Sequence, residues 1–182
     1  MKPVCKIITA IAMLFVTTEL LAHARFLSTG KLKPRDPNAG IKVGPCGPAP
    51  RSATPVKLKA GEDLLVEWEE TINHPGYFRI SFSQEGDAGF GGNILATVQD
   101  TQNTQVNGAS HKYSKSIKVP NVNCTTCTIQ LIQYMTENPA TPSLYFSCAD
   151  IQIEGATADQ PYAPPTNTPV PEIDQTKKEC EE

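Results

Sequence analysis

Asp63-Leu-Leu-Val-Glu-Trp-Glu69 alternates along its length, with Leu64, Val66 and Trp68 on one face and Leu65, Glu67 and Glu69 on the other. A period of two is that of a half-buried strand. The next run repeats it: in residues 77–83, Phe78, Ile80 and Phe82 share a side. Further short β-type runs follow at residues 56–59, 94–98, 116–119, 128–135 and 144–153, with a short one at 24–28. Turn-forming residues separate them, and no stretch of helical length carries an apolar stripe at 3.6-residue spacing. Many short strands between Gly- and Pro-rich turns predict an all-β fold, an antiparallel immunoglobulin/fibronectin-III-like β-sandwich.

Two segments fall outside this pattern. Residues 29–53 form a long loop rich in Gly, Pro and charge that includes Gly44-Pro-Cys-Gly47. A loop of that length is usually functional or stapled down, and Cys46 is the candidate staple. From about residue 157 to 182 the chain becomes Pro-rich and then charged, ending Lys177-Lys-Glu-Cys-Glu-Glu182. That composition predicts a disordered tail, with Cys180 alone in it.

The first 22 residues read as a signal peptide, with Lys2 and Lys6 ahead of an apolar run over residues 7–21. The run is short for a membrane span, so the reading is an exported chain, secreted or periplasmic, with no stable membrane insertion after processing. The sandwich then occupies residues 23–156. Removing Lys2, Lys6 and Glu19 makes the formal charge one unit more negative than −3. Such acidity argues against nucleic acid, which needs clustered Lys and Arg. In an oxidising compartment Cys46, Cys124, Cys127 and Cys148 are expected in disulfides, for which three connectivities exist. A zinc site at Cys124-Thr-Thr-Cys127 would need a second ligand pair at matching spacing, and the sequence has none.

Chemistry centres on the junction Leu20-Leu-Ala-His-Ala-Arg-Phe26. Cleavage after Ala22 would make His23 the first residue, bearing both an α-amine and an imidazole. With a second imidazole these suit a tetragonal Cu(II) site. Ala22-His-Ala24 is itself a cleavage box, however, and cutting after Ala24 would discard the histidine, so local rules leave both sites open. His74, in the turn Asn73-His-Pro-Gly76, is the candidate second ligand, held by a rigid turn. The third histidine, His111, reads as an exposed loop residue. Glu67, Glu69 and Glu70 could supply the paired carboxylates of a hydrolase but read as a solvated face.

Residues 143–153, Ser-Leu-Tyr-Phe-Ser-Cys-Ala-Asp-Ile-Gln-Ile, resemble the final core strand of lytic polysaccharide monooxygenases: an aromatic, a Cys three positions on, then alternating apolar residues. Cys124-Thr-Thr-Cys-Thr-Ile-Gln130 resembles the CxxCxLQ stretch of the chitin- and cellulose-active branches. A turn histidine after a Val-Glu-Trp strand matches the second copper histidine, and the pieces occur in the family's order over most of residues 23–155. The resemblance implies cleavage after Ala22 and one copper per chain held by His23 and His74, with Tyr145 on the axial side. It implies Cys46–Cys148 and Cys124–Cys127 disulfides. It implies a monomer that oxidatively cleaves a β-linked polysaccharide such as chitin or cellulose, using an electron donor or peroxide. Two positions depart from the pattern: Ser143 stands where fungal members carry an oxygen-steering Gln, and Ile72 where bacterial ones carry Ala. Residues 27–60 contain no Tyr or Trp for stacking on sugar. The alternatives are a periplasmic copper carrier or chaperone without catalysis, and a non-catalytic carbohydrate-binding protein.

Overall fold

The computed structural model describes residues 23–102 and 109–157. The expected leader over 1–22 and nearly all of the expected tail, Cys180 included, lie outside the described residues. The described residues form eight strands: β1 (Ala24–Phe26), β2 (Val56–Lys59), β3 (Asp63–Glu70), β4 (Gly76–Ser83), β5 (Ile94–Gln99), β6 (His111–Lys118), β7 (Cys124–Met135) and β8 (Ser143–Glu154). They form a three-stranded sheet, β1-β3-β6, facing a five-stranded sheet, β2-β8-β7-β4-β5. Every pairing is antiparallel except that of β2, which joins β8 in parallel. The result is the β-sandwich that strand alternation predicts.

The core lies between the sheets. Phe26, Leu64, Val66 and Trp68 from the small sheet meet Phe78, Ile80, Phe82, Ile129, Leu131 and Ile151 from the large one. β6 runs longer than its apolar part suggests. It is an edge strand, and its exposed Lys and Ser residues alternate with few buried ones.

β7 and β8 are buried on both faces. The long loop over residues 27–55 lies across the outer face of the large sheet, where Ile41 packs on Ile132, Tyr134 and Phe146. Two devices hold it there. The first is a disulfide that joins Cys46 to Cys148; the Cys124–Cys127 disulfide lies within β7 and takes no part. Deeper, Arg35 spans Asp150 and Asp87 at 2.6–2.9 Å, while Arg51 reaches Asp87, Thr128 and the Cys127 carbonyl at 2.7–2.8 Å. Arg35 and Asp150 are almost wholly buried, a placement tolerated only because each charge is paired and hydrogen-bonded.

Candidate metal centre

β1 is the short strand that carries the candidate first ligand, and it sits where the sheets converge. One edge pairs with β3, placing Ala24 opposite Glu70 and Phe26 opposite Trp68. The other edge meets side chains of the large sheet: the Ala24 amide donates to Gln133 Oε1 at 2.9 Å and the Phe26 amide to Ser147 Oγ at 3.3 Å. His23 therefore stands at the end of the seam, its carbonyl accepting from the Thr71 amide at 3.2 Å.

Around His23 the structure gathers two of the other sequence candidates. The His74 ring centroid lies 5.4 Å from that of His23. The Tyr145 ring packs directly on the His23 ring, centroids 3.2 Å apart and tilted 34°. Tyr145 is buried and projects from β8 on the core face, opposite Gln133. Ser143, two residues earlier on β8, has the same parity, but among the described residues no hydrogen bond or ring contact joins it to either histidine.

The donor set fits a metal that binds imidazole nitrogen. His23 Nδ1 is buried without a hydrogen-bond partner, an arrangement that is costly unless something else uses its lone pair. Burial, then the nearby His74 and Lys42 charges, push the His23 imidazole down to about 4, so the ring is neutral at neutral pH. His74 Nδ1–H donates to the Glu137 carboxylate, which leaves its lone pair on Nε2. A carboxylate that accepts from the other ring nitrogen and so fixes the tautomer is the usual companion of a ligating histidine. Among the described residues no group of three or more His, Cys, Asp or Glu side chains could hold a metal ion. Two imidazoles alone make a sparse site. A third donor of the right kind is the His23 nitrogen, which is an amide in the full chain and an amine if the chain is cut after Ala22.

Sequence reasoning missed four residues here. Lys42, from the docked loop, holds its ammonium 5.1 Å above the Tyr145 ring. Glu137 comes from the β7–β8 turn. Glu70 and Gln133 lie beneath. The expected solvated face of acids holds for Glu67 and Glu69, which are partly exposed, but not for Glu70, which is 1% exposed. Its carboxylate accepts from Gln133 Nε2 at 2.6 Å, the His74 amide at 3.2 Å, His111 Nδ1 at 3.2 Å and the Tyr113 hydroxyl at 3.4 Å. Burial, then repulsion from Asp100, pushes the Glu70 carboxyl up despite those donors. The expectation that His111 is exposed is also corrected. It opens β6 opposite Glu70 and is 7% exposed, because the edge strand begins earlier than its apolar residues suggest. No helix among the described residues is long and apolar enough to cross a membrane.

Among solved structures, a copper complex of the cellulose-active lytic polysaccharide monooxygenase CelS2 matches with 21% identity and a TM-score of 0.39. The match covers 59% of this chain and 55% of that one, so this chain spans little more than half of its length. A chitin-binding domain from Burkholderia pseudomallei matches with 10% identity and a TM-score of 0.44, over 73% of this chain and 100% of that domain. No curated protein sequence matches. The family model described as "lytic polysaccharide mono-oxygenase, cellulose-degrading" matches residues 34–151, which include Cys46, His74 and Tyr145. That stretch is well over half of the 182 residues, and the chain belongs to this family of lytic polysaccharide monooxygenases.

Proposed function

We propose that the mature chain is an exported copper-dependent monooxygenase that begins at His23 and oxidatively cleaves glycosidic bonds in a β-linked polysaccharide. The observation that carries this reading is the buried, unpartnered His23 Nδ1 beside His74 and under Tyr145. In this reading the His23 ring, the His23 amine and His74 Nε2 hold one copper ion per chain. Bound copper supplies one-electron and oxygen chemistry, while the protein contributes position and electrostatics. Glu137 holds the His74 ring in one tautomer. Tyr145 shields the His23 side of the centre from water, and the Lys42 ammonium adds positive charge beside it. Lys42 and Val43, both exposed, stand on the docked loop, where a polysaccharide surface would meet them. With dioxygen as oxidant an external donor would supply the electrons, and peroxide would stand in for dioxygen together with two of those electrons.

Intact-mass measurement of the exported protein, with and without copper, tests the N-terminus and the stoichiometry together. The expected mass corresponds to a chain starting at His23 that gains one copper; a chain starting at Arg25 would refute the reading. With reductant and peroxide, the copper-loaded protein should release oxidised oligosaccharides from chitin, cellulose or a hemicellulose. Tyr145→Ala should suppress turnover more than it weakens copper binding. The missing aromatic in residues 27–60 favours a second reading, a copper carrier. Ready copper transfer to an acceptor protein with no oxidised product from the whole panel would select it.

A further inference from the structure

His23 immediately precedes β1 and His74 lies in the β3–β4 turn; the pairing of β1 with β3 joins Ala24 to Glu70 and the Thr71 amide to the His23 carbonyl, and stops three residues short of His74. A buried side-chain bridge spans the rest. The amide of Ala24, the residue after His23, donates to Gln133 Oε1 at 2.9 Å. Gln133 Nε2 donates to Glu70 Oε1 at 2.6 Å, and the same oxygen accepts the His74 amide at 3.2 Å. Glu70 and Gln133 are each 1% exposed. The other Glu70 oxygen is occupied by His111 and Tyr113, so the carboxylate has little freedom to turn.

We propose that Glu70 and Gln133 are a positioning pair that sets the spacing of the two ligand-bearing main chains. The proposal rests on the reading of His23 and His74 as copper ligands. The bridge has a direction: an amide donor, an acceptor–donor side chain, then an acceptor shared with the second amide. Only a side chain with both functions can sit in the middle, which is why a glutamine stands among the apolar residues of β7. Both members lie on core-facing positions, Glu70 in phase with Trp68 and Gln133 opposite Phe78. A strand of the core thereby sets the geometry of a surface site.

The test uses the mature chain with Gln133→Met and with Gln133→Asn. Gln133→Met keeps the bulk and removes both hydrogen bonds; Gln133→Asn keeps donor and acceptor but is one methylene too short to reach Ala24 and Glu70 at once. Without metal, Gln133→Met should shift the amide resonances of Ala24 and His74 together and speed hydrogen exchange at both. Ile80→Val, a core change elsewhere, should leave them in place. With copper, Gln133→Met should lose about tenfold or more in affinity and change the Cu(II) hyperfine splitting. A His74 amide that ignores Gln133→Met, or unchanged copper affinity in that variant, overturns the proposal. If Gln133→Met does not fold, Gln133→Asn decides, and an unmoved His74 amide or unchanged copper affinity in it overturns the proposal. A wild-type chain that takes up no copper refutes the ligand reading instead, and the metal-free amides then decide the pair by themselves.

Discussion

Glu137 is exposed and His74 lies in a turn, so the hydrogen bond between them is the most accessible control on the centre. A neutral imidazole has one lone pair, and the carboxylate decides which nitrogen carries it. Glu137→Ala frees the tautomer, and copper affinity is expected to fall about tenfold, against a much larger loss for His74→Ala. Competition titration against a chelator of known affinity measures both. His23, His74 and Tyr145 were legible because histidines are scarce in this sequence and the aromatic strand follows a family pattern. Glu70 was legible in principle. It shares the parity of Leu64, Val66 and Trp68, and only the habit of grouping neighbouring acids placed it in solvent. Gln133, polar in an apolar run, likewise asks for a partner. Lys42 and Glu137 carry no such signal, because loop docking and a turn bring them to the site.

At the scale of elements, the start of β4 fixes the His74 turn. A Cβ on Gly76 would stand 1.9 Å from the Tyr134 carbonyl oxygen, which is backbone and cannot swing away. The flanking atoms are pinned as well: the Pro75 carbonyl accepts from the Thr136 amide and the Gly76 carbonyl from the Asp100 amide, at 2.8 and 3.2 Å. Gly76→Ala must therefore part β4 from β7 or move the turn. It should cost about 3 kcal/mol, read as a fall in the urea midpoint at unchanged slope. Strands with one wet face, β3 above all, could be read from alternation. β7 carries no such alternation, since residues 128–135 are buried on both faces, and it reads from sequence only as a β-type run that lacks residues 124–127. The parallel entry of β2 beside β8 leaves no mark on a four-residue strand.

For the whole molecule, the decisive feature is a loop of irregular chain covering a sheet. Without it, Ile132, Tyr134 and Phe146 would face water and Lys42 would leave the site. It is held by the Cys46–Cys148 bond and by the Arg35–Asp87–Arg51–Asp150 cluster, and the two respond to different conditions. Burial would raise the Asp87 carboxyl, but hydrogen bonds from Arg35 and Thr128, with the charges of Arg35 and Arg51, outweigh it and hold the group below the ordinary carboxylate range. A carboxylate depressed on folding contributes stability above its unfolded value of about 3.9, and that contribution is lost as pH falls through the folded value. In the wild type the disulfide keeps the loop closed while this happens. Closing a loop of 102 residues is worth about 4–5 kcal/mol on the chain-entropy model. In the variant Cys46→Ala with Cys148→Ala, the ion cluster is the main remaining tether. That variant should melt well below wild type at neutral pH yet keep the sheet face covered. Below about pH 4 it should begin to bind a hydrophobic dye before its far-ultraviolet circular dichroism changes, as Asp87 takes up its proton and the loop lifts from the sheet. Wild type over the same range should bind none. Dye binding by the variant at neutral pH would mean that the cluster cannot hold the loop alone, and equal acid behaviour of the two proteins would mean that the loop has a third anchor.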